Sequence, residues 1–134
     1  MNKIVISGTG VFTPEESITN KELVKAYNTY VEIYNSTNKA DISQGNKVAL
    51  ELSSEEFIYK ASGIKNRYVM DKTGILDPNI MHPILKKRSN AEPSILAEMS
   101  VKAAKKAMES AGKTSSDIDA VITACSNLER AYPA

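Results

Sequence analysis

The sequence predicts an α/β fold, and three observations carry that expectation. An apolar, β-branched run stands near the start, Lys3-Ile-Val-Ile-Ser-Gly8. A second stands near the end, Ala120-Val-Ile-Thr-Ala124, inside the stretch Asp117 to Ala134. Between them, apolar residues recur at helical spacing. A short apolar run bounded by turn residues reads as a strand buried on both faces. In open α/β sheets, ligands and chemistry collect just past the carboxyl ends of such strands. Cys125 to Tyr132 therefore lie where a site is expected. Pro133 is better placed to open a helix than to close a chain.

The elements follow in order. Lys3 to Gly8 is expected as a strand, and Gly8-Thr9-Gly10 as a tight turn after it. The sharper reading of Gly-Thr-Gly, a phosphate cradle, lacks a third glycine at dinucleotide spacing and a Gly-Lys-Ser/Thr. Val11 and Phe12 look buried, and Pro14 ends any pairing. Thr19-Asn20 caps a helix through Leu23, Val24 and Tyr27, with Glu22 in its first turn. From Asn28 to Leu50 the pattern loosens into loop residues, with a helical turn or two around Val31 to Tyr34. Ser53-Ser54-Glu55-Glu56 opens a helix that holds Phe57, Ile58 and Ala61 and stops at Gly63. Lys65 to Met70 reads as a short strand or extended segment.

Asp71 to Asn90 is loop-rich, with Pro78 and Pro83. It holds the single histidine, His82, and the run Lys86-Lys87-Arg88. A histidine beside a proline in a polar loop reads as a solvated side chain. The three cations read as wet surface, or as a contact for a phosphate-bearing substrate or an acidic carrier protein. The strongest helix is Pro93 to Ala111. Leu96, Met99, Ala103, Ala107 and Ala111 form its apolar face, which implies close packing against another helix or a sheet. Glu98 precedes Lys102 by four residues, the favourable order, and Gly112 is the stop.

Composition narrows the function. The chain has 134 residues, enough for a core, with 42% hydrophobic and 25% charged residues. The formal net charge of +1 argues against a general electrostatic grip on nucleic acid or anionic membrane. No apolar run approaches the ~20 residues of a membrane helix. One cysteine and one histidine make neither an internal disulfide nor a structural zinc site. The expectation is a reduced, cytoplasmic, metal-free protein without a cofactor. Cys125 follows an apolar strand with no histidine near it in sequence, so it is expected as a small buried hydrophobe rather than a nucleophile.

Several segments in order resemble a β-ketoacyl-acyl-carrier-protein synthase III. They are Ile6-Ser-Gly-Thr-Gly-Val-Phe-Thr-Pro14, Thr19-Asn-Lys-Glu-Leu23, Ser62-Gly-Ile-Lys-Asn-Arg67, the helix from Glu98 to Gly112, and Asp117-Ile-Asp-Ala-Val-Ile122. Ala124-Cys-Ser-Asn-Leu-Glu-Arg-Ala-Tyr-Pro-Ala134 and Asp71-Lys-Thr-Gly-Ile-Leu-Asp-Pro78 resemble one branch of that family. The resemblance implies a thiolase-like fold, of which residues 1–134 would be a partial N-terminal domain with loop-rich insertions near 29–52 and 71–92. It implies a homodimer whose substrates are acyl-CoA and malonyl-acyl-carrier protein, joined by decarboxylative Claisen condensation. A cysteine thiolate takes the acyl group, and His and Asn stabilise the decarboxylating partner.

The same resemblance places the nucleophile, His and Asn beyond Ala134, so no catalytic residue is expected within the chain. It offers Phe57 as a stacking partner for the CoA adenine and Ser62 as a neighbouring hydroxyl. Cys125, Ser126 and Asn127 would line the floor near the acyl site, and Tyr132 would reach across the dimer. Ala61 stands where many relatives carry a CoA-binding arginine. Two other readings stay open: a small non-catalytic α/β binding module, and another thiolase-fold condensing enzyme such as a ketosynthase-cyclase or an HMG-CoA-synthase-like protein. The portion by itself is expected to be inactive. An unpaired central strand edge would leave it poorly stable unless it dimerises or swaps.

Overall fold

The computed structural model describes residues 4–125. They form two compact units: Pro14–Lys86, and the residues before Pro14 together with those after Lys86.

Pro14–Lys86 is built on one long helix and a small ribbon. Strand β1 (Glu16–Thr19) pairs antiparallel with β2 (Asn66–Val69), with Glu16 opposite Val69 and Thr19 opposite Asn66. β2 falls inside the segment expected to be extended. Pro14 carries no ladder, as expected, and β1, which begins just past it, is a strand the sequence reading does not anticipate. Helix α1 (Asn20–Thr37) starts where the sequence places its cap. The Thr19 hydroxyl accepts from Glu22 N–H at 3.2 Å, and the Glu22 carboxylate accepts from Thr19 N–H at 2.9 Å. Two orphan donors of the helix start are thus satisfied reciprocally.

The helix expected to loosen after Tyr27 runs on to Thr37, and α2 (Lys39–Ser43) follows at once. The reason is tertiary. Val31 is buried, and Tyr30 and Tyr34 bring their rings within 6.1 Å of each other. The asparagines that read as loop chemistry bond across space instead of to their own backbone. Asn28 donates to Ser53 O (3.1 Å) and accepts from Ser53 N–H (2.8 Å). Asn35, two turns later, does the same with Leu50 at 2.9 Å in both directions. Each side-chain amide imitates a strand neighbour and satisfies one backbone donor and one acceptor.

Helix α3 (Glu55–Ser62) is capped by Ser54, whose hydroxyl accepts from Phe57 N–H at 3.1 Å. It ends at Gly63 in the left-handed conformation, φ 68°, a geometry glycine adopts without steric cost. The turn after it is held by Asn20, which is buried. Its side chain donates to Ile64 O at 2.8 Å and accepts from Arg67 Nη1 at 2.8 Å. A short helix α4 (Thr73–Leu76) completes this unit. Its buried apolar side chains are Ile18, Ala26 and Val31, a small core on β1 and α1.

The second unit is organised by α5 (Ile95–Ala111). Ser94, not Pro93, is its cap: the hydroxyl accepts from Ala97 N–H at 3.1 Å, so Pro93 lies just outside. Leu96, Met99, Ala103, Ala107 and Ala111 are all half-buried, as their spacing predicts. What packs on the alanines is the Gly8–Gly10 segment. A Cβ added to Gly8 would lie 2.5 Å from the Ala107 carbonyl oxygen and 2.8 Å from Ala111 Cβ, and one added to Gly10 would collide with backbone at Ala103, Lys106 and Ala107. Neither glycine has a positive φ. They are glycines because backbone meets helix there, rather than for a tight turn.

Two expectations of strands are corrected. Residues 4–8 and 120–124 carry no strand pairing, and their apolar side chains stand in the open: Ile4 101% exposed, Ile6 87%, Val121 80%, Ile122 96%. A strand apolar on both faces needs a paired neighbour and a cover on each side. Among the described residues the only ladder is the β1–β2 ribbon, which lies in the other unit.

Candidate binding site

An open groove of about 590 Å³ lies within Pro14–Lys86. Its floor comes from α1, where Leu23, Val24 and Tyr27 share a face at helical spacing. Phe57 and Ile58 enter from the first turn of α3, Leu52 with Glu51, Ser53 and Ser54 from the segment before it, and Met81 from the loop after α4. Each wall has a local cause. The Asn28 and Asn35 amides hold the chain at Ser53 and Leu50, on either side of Leu52. The Ser54 cap fixes the start of α3, and with it Phe57, which is 66% exposed. An aromatic face left this open is a place for a flat or chain-like apolar group to lie.

The loop carrying Met81 is anchored by Asp71. That carboxylate accepts from the Thr73 hydroxyl (2.6 Å) and N–H (3.2 Å), and from Ile84 N–H (3.0 Å). The Thr73 hydroxyl above all, and then the Ile84 N–H, hold its pKa below the usual carboxylate value. Among the described residues lining the groove, Glu51 is the one acidic side chain, and there is no Lys, Arg, His or Cys. The Ser54 hydroxyl is engaged by Phe57 N–H. The mainly apolar lining is suited to binding an uncharged apolar moiety.

The expected site residues fall as follows. Phe57 lines the groove. Ser62, at the last turn of α3, does not: its hydroxyl donates to Ile58 O at 2.7 Å and accepts from Ile64 N–H at 3.2 Å, which closes the helix end. Ala61 is exposed on the same helix. Cys125 is exposed, not the buried hydrophobe expected, because the run before it is not covered by a sheet. Ser126, Asn127 and Tyr132 lie outside the described residues. His82 is exposed, as a loop histidine should be. In the basic run, Arg88 is committed inside its own unit. It donates to Glu98 at 2.6 Å and to Pro93 O at 2.9 Å, while Lys102 bonds the other Glu98 oxygen at 2.6 Å and sits over the Phe12 ring at 4.7 Å. Lys102 and then Arg88 hold the Glu98 carboxyl below its usual pKa. Lys86 and Lys87 are exposed.

Sequence reasoning does not single out Leu52 or Met81 as groove residues. The seven-residue spacing of Asn28 and Asn35 is a usable signal for the first. Nothing in the sequence marks the second. Among the described residues, no cluster of His, Cys, Asp and Glu could hold a metal ion, and no helix is long and apolar enough to cross a membrane.

Fold and groove together define a small α/β unit with an open groove lined mainly by apolar side chains. No family model matches the chain. The chain is 55% identical over 111 residues, 83% of its length, to the β-ketodecanoyl-[acyl-carrier-protein] synthase of Pseudomonas aeruginosa, of which it covers 32%. It is 25% identical over 134 residues to the β-ketoacyl-[acyl-carrier-protein] synthase III of Rhizorhabdus wittichii, of which it covers 28%. The chain thus spans about a third of the length of the curated relatives it matches. These matches bear out the resemblance to β-ketoacyl-acyl-carrier-protein synthase III that the ordered motifs carry: the chain is a relative of part of such a protein.

Proposed function

We propose that the chain is the N-terminal part of a synthase III-like condensing enzyme with a thiolase-like fold, dimeric and cytoplasmic. The observation that carries this is the 55% identity over 111 residues to a β-ketoacyl-carrier-protein synthase. In the reaction, a cysteine thiolate attacks the acyl-CoA carbonyl and expels the CoA thiolate. Malonyl-acyl-carrier protein then loses carbon dioxide, and the resulting carbanion attacks the acyl-enzyme thioester and expels the cysteine. The thiolate, His and Asn belong to the remainder of the protein. A β-ketodecanoyl product, as in the name of the Pseudomonas protein, has ten carbons. Condensation with malonyl adds two, so an eight-carbon primer is the matching donor.

In this reading Phe57 stacks on the acyl donor in the groove, with Ser62 near by, and Cys125, Ser126, Asn127 and Tyr132 lie toward the acyl site and the dimer. The segments near 29–52 and 71–92 are insertions relative to other synthases, and through Glu51, Leu52 and Met81 they contribute to the groove's walls. The test uses the full-length protein with octanoyl-CoA, malonyl-acyl-carrier protein and intact-mass detection. One octanoyl adduct on a cysteine other than Cys125, chased to a β-ketoacyl-carrier protein by the malonyl donor, is the expected result. An adduct on Cys125, or none with any acyl-CoA from two to ten carbons, overturns the reading.

A further inference from the structure

Met81 has φ 57°, and it is the one non-glycine residue with a positive φ among the described residues. A side chain in the left-handed region is sterically costly, and the position would ordinarily fall to glycine or asparagine. The loop gives it no freedom to relax. On one side, Met81 N–H and Ile80 N–H donate to Asp77 O at 2.9 and 3.0 Å. On the other, Ile84 N–H is held by Asp71 at 3.0 Å, and the His82 carbonyl rests against Gly74 so closely that a Cβ there would collide with it. The strained residue is also the loop's one contribution to the groove. Strain that persists only because its surroundings impose it points to a use for the side chain.

We propose that Met81 is a specificity-determining residue: its thioether is the adaptable wall that closes the groove over the uncharged, apolar part of the acyl donor. An unbranched, polarizable side chain fits ligands of varied outline and makes favourable contact with rings. The charge of the lining fits an uncharged moiety, since Glu51 would repel a phosphate and the described lining residues include no cation to hold one. This rests on the proposed function, in which Phe57 meets the acyl donor in this groove.

The experiment compares Met81→Gly, Met81→Leu and Phe57→Ala in the full-length protein. Met81→Gly removes the wall and relieves the backbone. It should raise KM for octanoyl-CoA about fivefold, because apolar donor surface stays in water, more than it changes kcat, with a melting temperature no lower than the parent's. Met81→Leu should keep KM within about twofold, because bulk and apolarity are retained. A residue that merely packs would give the opposite split, with lower melting temperature and unchanged KM, and that result overturns the inference. Should Met81→Gly fail to fold, Met81→Ala carries the same KM readout. If Phe57→Ala raises KM and the Met81 variants do not, this inference alone falls. If Phe57→Ala also leaves KM unchanged, the groove is not the donor site, and the proposed function loses its binding residue. Repeating the series with an octanoyl-pantetheine thioester separates the two apolar parts of the donor. A KM effect that persists places the acyl-pantetheine portion against Met81, and one that vanishes places the base there.

Discussion

Gly8 is held against α5 by backbone packing, and its substitution probes that packing directly. Gly8→Ala drives a Cβ to 2.5 Å from the Ala107 carbonyl oxygen, so it should destabilise the protein by about 1–3 kcal/mol, the usual cost of overpacking. Denaturant unfolding measures this, and an unchanged midpoint would show that the segment simply lifts away. Asn35→Ala removes two hydrogen bonds and leaves Leu50 N–H and C=O without their partners. It should cost about 1–3 kcal/mol, with faster amide exchange confined at first to the residues around Leu50. Asp71 and Glu98 give a pH dependence of known sign. Both have folded pKa values below the usual carboxylate range. Their contribution is therefore fully present above the unfolded carboxylate pKa of about 4 and is lost as pH falls toward the depressed folded values. Stability should decline on acidification below about pH 5, and Asp71→Asn should flatten that decline. A pH-independent midpoint between neutrality and pH 3 would refute the assignment. Residue roles of the capping kind are legible in the sequence: Thr19, Ser54, Gly63 and Gly112 each sit at a helix end and act there. The asparagines are not, because one amide serves a loop or a distant strand equally well and only the position of residues 50–53 decides between them.

At the scale of elements, α1 shows how a tertiary contact extends a helix beyond its local preference. Its start is local, set by the Thr19–Glu22 capping box. Thr19→Ala should cost about 1 kcal/mol and fray the first turn, visible as reduced amide protection at Lys21 and Glu22. The second half of the helix depends on buried Val31 and on the amide pairs to the Leu50–Ser53 segment. α5 is legible from its period, because leucine, methionine and alanine at helical spacing have few other solutions. Its partner is not, since the alanine face could have met a helix, a sheet or, as it does, a glycine-bearing segment. β1 escapes sequence reading for a related reason: four residues with no alternating apolar pattern pair only because β2 lies beside them.

At the scale of the whole molecule, the apolar runs at 4–6 and 120–122 are the feature to test. They are the most apolar stretches of the chain, yet they are exposed and unpaired among the described residues. The relatives are about three times as long as this chain. In the 134-residue polypeptide, amides of Ile4–Ile6 and Val121–Ile122 should exchange within seconds, and the protein should bind a hydrophobic dye. In the full-length protein the same amides should be protected as central strands. Slow exchange in the short chain would mean that the runs pair with one another or with a second copy.

What the sequence determined alone is local: where α1 and α3 begin, where α3 and α5 stop, and which face of α5 is apolar. Capping and periodicity act over four to seven residues, so the information needed is adjacent in the chain. The tertiary structure decided the rest: which backbone the Asn28 and Asn35 amides serve, why residues 8 and 10 are glycines, that Met81 takes a left-handed backbone at the groove, and that the two apolar runs remain unpaired. Each of these depends on atoms tens of residues away or on a strand partner. A buried strand is a property of a sheet, and no stretch of five apolar residues can supply the neighbours that make it one.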